Sequence, residues 1–256
     1  MNAHEDKIEK LYCLAQDRFH QQDLSEAIDS LKALLALNFR HLDAHFLLAL
    51  IYQQDQSYEL SNQHFRICLK EDYKSNEIYK LIAFNSKQLA LYKNALHELQ
   101  KHLHINPNDD DAYALMGDIY RLQGEDNFAA KVYLEAIALN PKNPSYYLKL
   151  SHVFQMQNKA SEAILEVQKA IALDHNYHEA HFFLATLYAQ QEKFQEAVNA
   201  YQKAISIHNT IALYHHNLAL ALQELHAFKE ASQAQKNALA LEPLNPHYQK
   251  SLTQEL

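Results

Sequence analysis

Glycine is almost missing from this chain: 2 of 256 residues, where an average protein would carry roughly 7%. Neither a glycine-rich phosphate loop nor a nucleophile elbow can be built from two glycines, so those two enzyme classes are excluded. Proline is also scarce, with 5 residues, which suits a nearly all-helical chain with short turns. Only two cysteines are present, Cys13 and Cys68, and the reading is two buried thiols rather than a disulfide. No run approaches the ~18 consecutive apolar residues of a membrane span. Basic charge is in deficit, with 23 Lys and Arg against 31 Asp and Glu and a net charge of −8. A phosphate-backbone footprint needs clustered cations, so no nucleic-acid partner is expected. The first ten residues carry charges where a signal peptide needs an apolar run, and Leu11-Tyr12-Cys13 is a poor lipoprotein site. The expectation is a soluble, cytoplasmic chain with no membrane insertion.

What the sequence does have is a period. Residues 110–143 read as two amphipathic helices joined by a turn. Tyr113, Met116, Gly117 and Tyr120 fall on one helical stripe, Gly124 breaks the run, and Ala129, Tyr133 and Ala136 form the next stripe. Pro141 stops the second helix, having no N–H to donate. One such hairpin cannot bury its own stripe and needs neighbours of the same shape. Sliding by 34 residues finds them without a gap: 8–41, 42–75, 76–109, 110–143, 144–177, 178–211 and 212–245. The seventh place of each unit is Leu14, Leu48, Ile82, Met116, Leu150, Leu184 and Leu218. The eighth is small throughout: Ala15, Ala49, Ala83, Gly117, Ser151, Ala185 and Ala219. So is the twentieth: Ala27, Ser61, Ala95, Ala129, Ala163, Ala197 and Ala231. Small residues let two helix backbones approach.

The period, these columns, the aromatic places (Tyr52, Tyr120, Phe154 and Tyr188; Phe65, Tyr133 and Tyr201) and the repeat-end Pro107, Pro141 and Pro243 resemble the tetratricopeptide repeat family. The expected fold is all-α: a right-handed α-solenoid superhelix of seven 34-residue helix-turn-helix repeats plus a capping helix over 246–256, as a single domain. Leu252 and Leu256 fall at apolar places of that cap. The irregular first repeat suits a terminal position. Asp72 or Ser75 is expected to cap the third repeat. Ser86 and His102 replace a large and a small residue there, which suggests a looser joint near 86–102. The hairpin turns carry a residue suited to a left-handed backbone only at Gly124 and Asn158. Gln22, Gln56, Ala90, Glu192 and His226 point to another turn geometry.

The resemblance implies function as well. In the family the first helices line a concave surface through their second, fifth, ninth and twelfth places. The expected groove residues are Tyr12, Phe46, Leu50, Lys80, Phe84, Lys87, Arg121, Leu148, His152, Phe182 and His216. Phe46, Leu50 and Phe84 are the apolar anchors, and Lys80, Lys87 and Arg121 the polar contacts to a partner. The second-place row, Glu9, Asp43, Glu77, Asp111, Ser145, Glu179 and Leu213, is mostly acidic. That either offsets helix dipoles or draws a basic peptide. The chaperone-tail clamp of some relatives needs Asn at the ninth place beside Lys80, where Phe84 stands instead. The Asn ladder of sugar-transferring relatives is reduced to Asn217.

Seventeen histidines invite a metal reading through His41 and His45, through His175, His178 and His181, or through His215 and His216. A structural zinc site wants about four ligands, and His45, His181 and His215 sit in the large-residue column as substitutes for Tyr or Trp. His97 to His102 is one residue too long for a zinc-protease motif. The sequence therefore points to a non-catalytic scaffold or adaptor without cofactor or metal, which holds a protein or peptide partner. The alternatives are a self-associating homo-oligomer, a His-mediated metal binder, or the repeat part of a larger enzyme such as a glycosyltransferase.

Overall fold

The computed structural model describes residues 3–253. Among these residues all the helical and strand elements are α-helices, fifteen in number. The chain divides into two compact units, one ending at Ile119 and one starting at Tyr120. The first unit contains α1 (Ala3–His20), α2 (Leu24–Leu37), α3 (Leu42–Gln54), α4 (Tyr58–Lys70), α5 (Ser75–Gln88), α6 (Tyr92–Ile105) and most of α7 (Asp110–Leu122). The second contains the end of α7, then α8 (Asp126–Leu139), α9 (Pro144–Met156), α10 (Ala160–Leu173), α11 (His178–Gln190), α12 (Phe194–Ile207), α13 (Ala212–Glu224), α14 (Phe228–Leu241) and α15 (Pro246–Thr253). In the first unit α1 packs on α2, α3 on α4 and α5 on α6, while α2 touches α3 and α4 touches α5. In the second, α9 packs on α10, α11 on α12 and α13 on α14, with each pair resting on the next.

The small columns explain the pairing. Every residue of the eighth and twentieth places is buried. Within a hairpin the two columns face each other: Ser61 Oγ donates to the Ala49 carbonyl at 2.8 Å, and Ser151 Oγ to the Ala163 carbonyl at 2.6 Å. The seventh-place residues are buried in six repeats, and Leu48, Ile82, Leu150, Leu184 and Leu218 pack in clusters with the preceding pair. Leu14 is 43% exposed, because the described chain offers no earlier pair to cover it. Cys13 beside it is also exposed, against the expectation of two buried thiols, while Cys68 is buried.

The turns correct the sequence reading. The fifteenth place is left-handed in every repeat, at Gln22, Gln56, Ala90, Gly124, Asn158, Glu192 and His226, with φ from 56° to 75°. Backbone hydrogen bonds are the reason. The N–H of the sixteenth residue donates to the carbonyl of the eleventh in all seven hairpins, from Asp23 to Arg18 through Ala227 to Leu222, at 2.8–3.0 Å. The N–H of the fifteenth donates to the carbonyl of the twelfth, as Gln22 does to Phe19 and His226 to Gln223. This pair of bonds satisfies helix-end carbonyls and demands positive φ. It outweighs the cost of a Cβ there, about 1–2 kcal/mol.

A second device recurs between repeats. The fourth-place side chain donates to the carbonyl six residues earlier, in the loop it follows. His45 reaches Phe39 (2.8 Å), Tyr147 reaches Pro141 (3.0 Å), His181 reaches His175 (3.1 Å), His215 reaches Asn209 (3.0 Å) and Gln249 reaches Pro243 (2.8 Å). Three of the column's histidines are thus loop clamps. His102, expected at a loose joint, is 2% exposed. Its Nδ1 bonds the Asn76 carbonyl at 2.7 Å and its Nε2 the Asp109 carboxylate at 2.8 Å. Neither Asp72 nor Ser75 caps α5. Its cap is Lys74, left-handed at φ 47° and without a side-chain cap bond. At the chain's end Tyr248 of α15 is buried with Ala212 and Ala238, and buried Gln235 donates to the Tyr248 carbonyl at 2.5 Å. Leu256 lies outside the described residues, as does the side chain of Leu252.

Candidate functional site

In the first unit the expected groove residues lie on α1, α3 and α5, one turn apart on successive helices. Phe46 is half-buried, edge-on to Phe65 (5.8 Å) and Tyr73 (6.2 Å). Leu50 packs partly buried against the cluster of Phe65, Ile78 and Ile82. Phe84 keeps 36% of its surface, with Tyr58 edge-on at 6.4 Å and the Lys87 ammonium 5.5 Å from its ring. Tyr12 stands 5.2 Å from the His41 ring. The apolar anchors therefore divide: Phe84 offers an accessible ring, whereas Phe46 and Leu50 are half taken up by packing.

The two lysines expected to meet a partner already have acids. Lys80 Nζ bonds Asp109 Oδ2 at 2.7 Å, and Lys87 Nζ lies 4.0 Å from Asp118. Asp109 also caps α7 by accepting from the Ala112 N–H at 2.9 Å. Burial works to raise the Asp109 carboxyl, but Lys80, the Ala112 N–H and His102 together hold it below the usual carboxylate range. Lys80 thus ties α5 to the residue that caps α7. Another polar tie lies beneath the face: buried Asn85 donates to Ser61 Oγ (2.8 Å) and Asn62 Oδ1 (2.9 Å) and accepts from Gln53 Nε2 (2.5 Å).

Around Asp43 the structure assembles a group the sequence did not single out. The Tyr73 hydroxyl donates to the Asp43 carboxylate. Burial and the Asp43 charge both push the Tyr73 hydroxyl up, and they do the same to Tyr12. The Lys74 ammonium sits 4.3 Å from the Phe46 ring centre and 5.3 Å from that of Tyr73. The available signal was Tyr73 itself, an aromatic at the thirty-second place where three other repeats carry proline.

In the second unit Leu148 departs from the expectation. It is 7% exposed, in a core with Val167 and Phe183, and has little surface for a partner. Phe182 stacks on Tyr214 at 4.4 Å and lies 5.5 Å from Tyr201. His152 rests 3.7 Å from the Phe183 ring. Burial lowers its imidazole to about 4, helped by the charges of Arg121 and Lys149. His216 bonds Gln235 through Nδ1 at 2.9 Å and meets the Tyr248 ring at 4.8 Å, so it ties α13 to the cap. Arg121 is exposed. Among the described residues no three His, Cys, Asp or Glu side chains gather as a metal ion would require.

The sequence pattern described as TPR repeat matches residues 117–158 and 185–225, and that described as Tetratricopeptide repeat matches residues 12–71. Together they cover more than half of the chain. It belongs to the tetratricopeptide repeat (TPR) family. Tetratricopeptide repeat protein 21B of Homo sapiens is 25% identical over 153 residues, covering 51% of this TPR chain and only 12% of that protein. Among solved structures, that of MamA protein is 25% identical, with a TM-score of 0.59 over 66% of this chain and 93% of the other. A tetratricopeptide repeat protein from Parabacteroides merdae shares the fold at 17% identity, with a TM-score of 0.75 over 97% and 98%. The chain is a TPR scaffold of the kind built for protein interactions. No described helix is long and apolar enough to cross a membrane.

Proposed function

We propose that this TPR protein is a non-catalytic adaptor that holds a segment of another protein along the inner row of its first helices. The observation that carries the reading is Phe84, whose ring keeps 36% of its surface on a helix where Ile78 and Ile82 are fully packed and Leu81 is partly buried. An accessible aromatic on a rigid helix, bordered by Lys87, is the kind of anchor a partner segment uses. Within the second unit Phe182 and His216 stand at the same place of their first helices, and Arg121 is an exposed cation of that unit. Two unbridged thiols, one of them exposed, fit the reducing cytoplasmic setting that the sequence suggests.

A photo-crosslinking residue at position 84, compared with one at Leu134 on an exposed helix face, tests this in native lysate. Crosslinks from position 84 to one recurring partner segment, and at least ~10-fold weaker binding of that segment by Phe84→Ala, are expected. Crosslinks from position 134 alone would sink the reading. A second reading, self-association, is favoured by Leu14, exposed where its six counterparts are buried. Light scattering decides it: a monomer at micromolar concentration removes self-association as the main role.

A further inference from the structure

We propose that Asp43, Phe46 and Tyr73 form a binding site for an alkylammonium or guanidinium group, and that the chain's own Lys74 occupies it. The two rings stand at 74° to each other with centres 6.2 Å apart, so they make two walls of a corner. The Lys74 ammonium lies in that corner, within cation–π range of both rings. The Asp43 carboxylate accepts from the Tyr73 hydroxyl and so fixes a negative charge at the edge of the Tyr73 wall. Lys74 makes no ion pair among the described residues, so the rings are its observed neighbours. Lys74 also stands in the left-handed region at φ 47°, in a loop that carries a second such residue, Asp72. Two aromatic faces with a fixed carboxylate are the chemistry that recognises a Lys, Arg or quaternary ammonium.

The occupant from outside is a basic side chain of a partner segment. The surrounding charge supports it, because Glu9, Asp43 and Glu77 line the same row while the nearby Lys80 and Lys87 are matched by Asp109 and Asp118. This rests on the inner row being the docking surface. There the incoming cation displaces Lys74, which makes Lys74 a built-in competitor: a partner must out-compete a tethered ammonium, so weakly basic or neutral segments are refused.

The site can be tested apart from the docking row with n-butyltrimethylammonium chloride as the probe, read by the NMR ring signals of labelled Phe and Tyr. Lys74→Gly empties the corner and suits the positive φ, so the fold is kept. Saturable shifts confined to Phe46 and Tyr73 are expected, with a Kd at least ~5-fold lower in Lys74→Gly than in the wild type. Lys74→Arg should keep the site filled, and Asp43→Asn in the Lys74→Gly background should weaken the probe again. Equal affinities for wild type and Lys74→Gly, or shifts no larger than those of buried Tyr133 or of a potassium chloride control, overturn the proposal. A failed probe with position-84 crosslinks intact condemns this site alone. Loss of the crosslinks with the probe still bound condemns the docking row.

Discussion

His64 shows how one side chain can set the pH range of a fold. Its Nδ1 meets His45 Nδ1 at 2.8 Å, and its ring stacks on Tyr52 at 5.7 Å. His45 Nε2 already donates to the Phe39 carbonyl, so in the neutral pair His64 donates and His45 accepts. A proton on both rings sets two donors against each other. Burial, the His45 ring and Lys32 lower the His64 imidazole from 6.5 to about 4, and burial lowers His45 as well. The sign follows from linkage. Below pH 6.5 the unfolded chain takes up a proton that folded His64 refuses until about pH 4, so stability is full above this window and falls through it. Thermal melting should therefore drop between pH 6.5 and 4. His64→Asn keeps a donor but cannot titrate, so it should make the slope shallower, with His152 left to contribute in the same range. An unchanged slope in calorimetry would refute the assignment. The sequence offered His45, His181 and His215 as metal ligands or core substitutes, and it did not single out His64. It could not tell that one column of them clamps loops, because that depends on a carbonyl six residues back being aimed at the ring.

At the scale of the helical pair, the period and its small columns made the hairpins legible. Ala163 or Ala197 could be read as a contact point from the repeat grid alone, and both are fully buried. The turns were not legible. Propensity argues against Ala90 or Glu192 in a left-handed backbone, yet the paired turn bonds place them there. Local preference lost to a fixed main-chain geometry. Ala90→Gly should stabilise the protein by about 1 kcal/mol, since glycine accepts this φ without a Cβ penalty. Gly124→Ala should cost about the same, and through the backbone alone, because nothing lies within 4 Å of a Cβ added there. Urea unfolding of the two variants checks both signs. Equal midpoints for Ala90→Gly and wild type would contradict the account.

For the chain as a whole, the groove residues were only partly legible. Their row could be counted from the grid, but burial, which separates Phe84 from Leu148, depends on what the next pair of helices carries. Tyr73 and Lys74 were missed because their importance comes from one irregular loop. Repeat proteins are stabilised chiefly by neighbour on neighbour, so a local loss should stay local. Ending the chain at Asn245 removes α15 and leaves Gln235 without the Tyr248 carbonyl. Hydrogen exchange should quicken in α13 and α14 and stay unchanged from α1 to α6. Uniform acceleration would mean cooperative unfolding of the whole array.

All seven reversals share the same two main-chain bonds, and this frees the side chain at the left-handed position. Gln22, Glu192 and His226 are solvent-exposed there, and none of their side chains makes the turn bonds. A fluorophore attached at such a tip, or an unrelated residue fixed there by drift, should leave the architecture untouched. The corners of the molecule are thereby open to new surface chemistry.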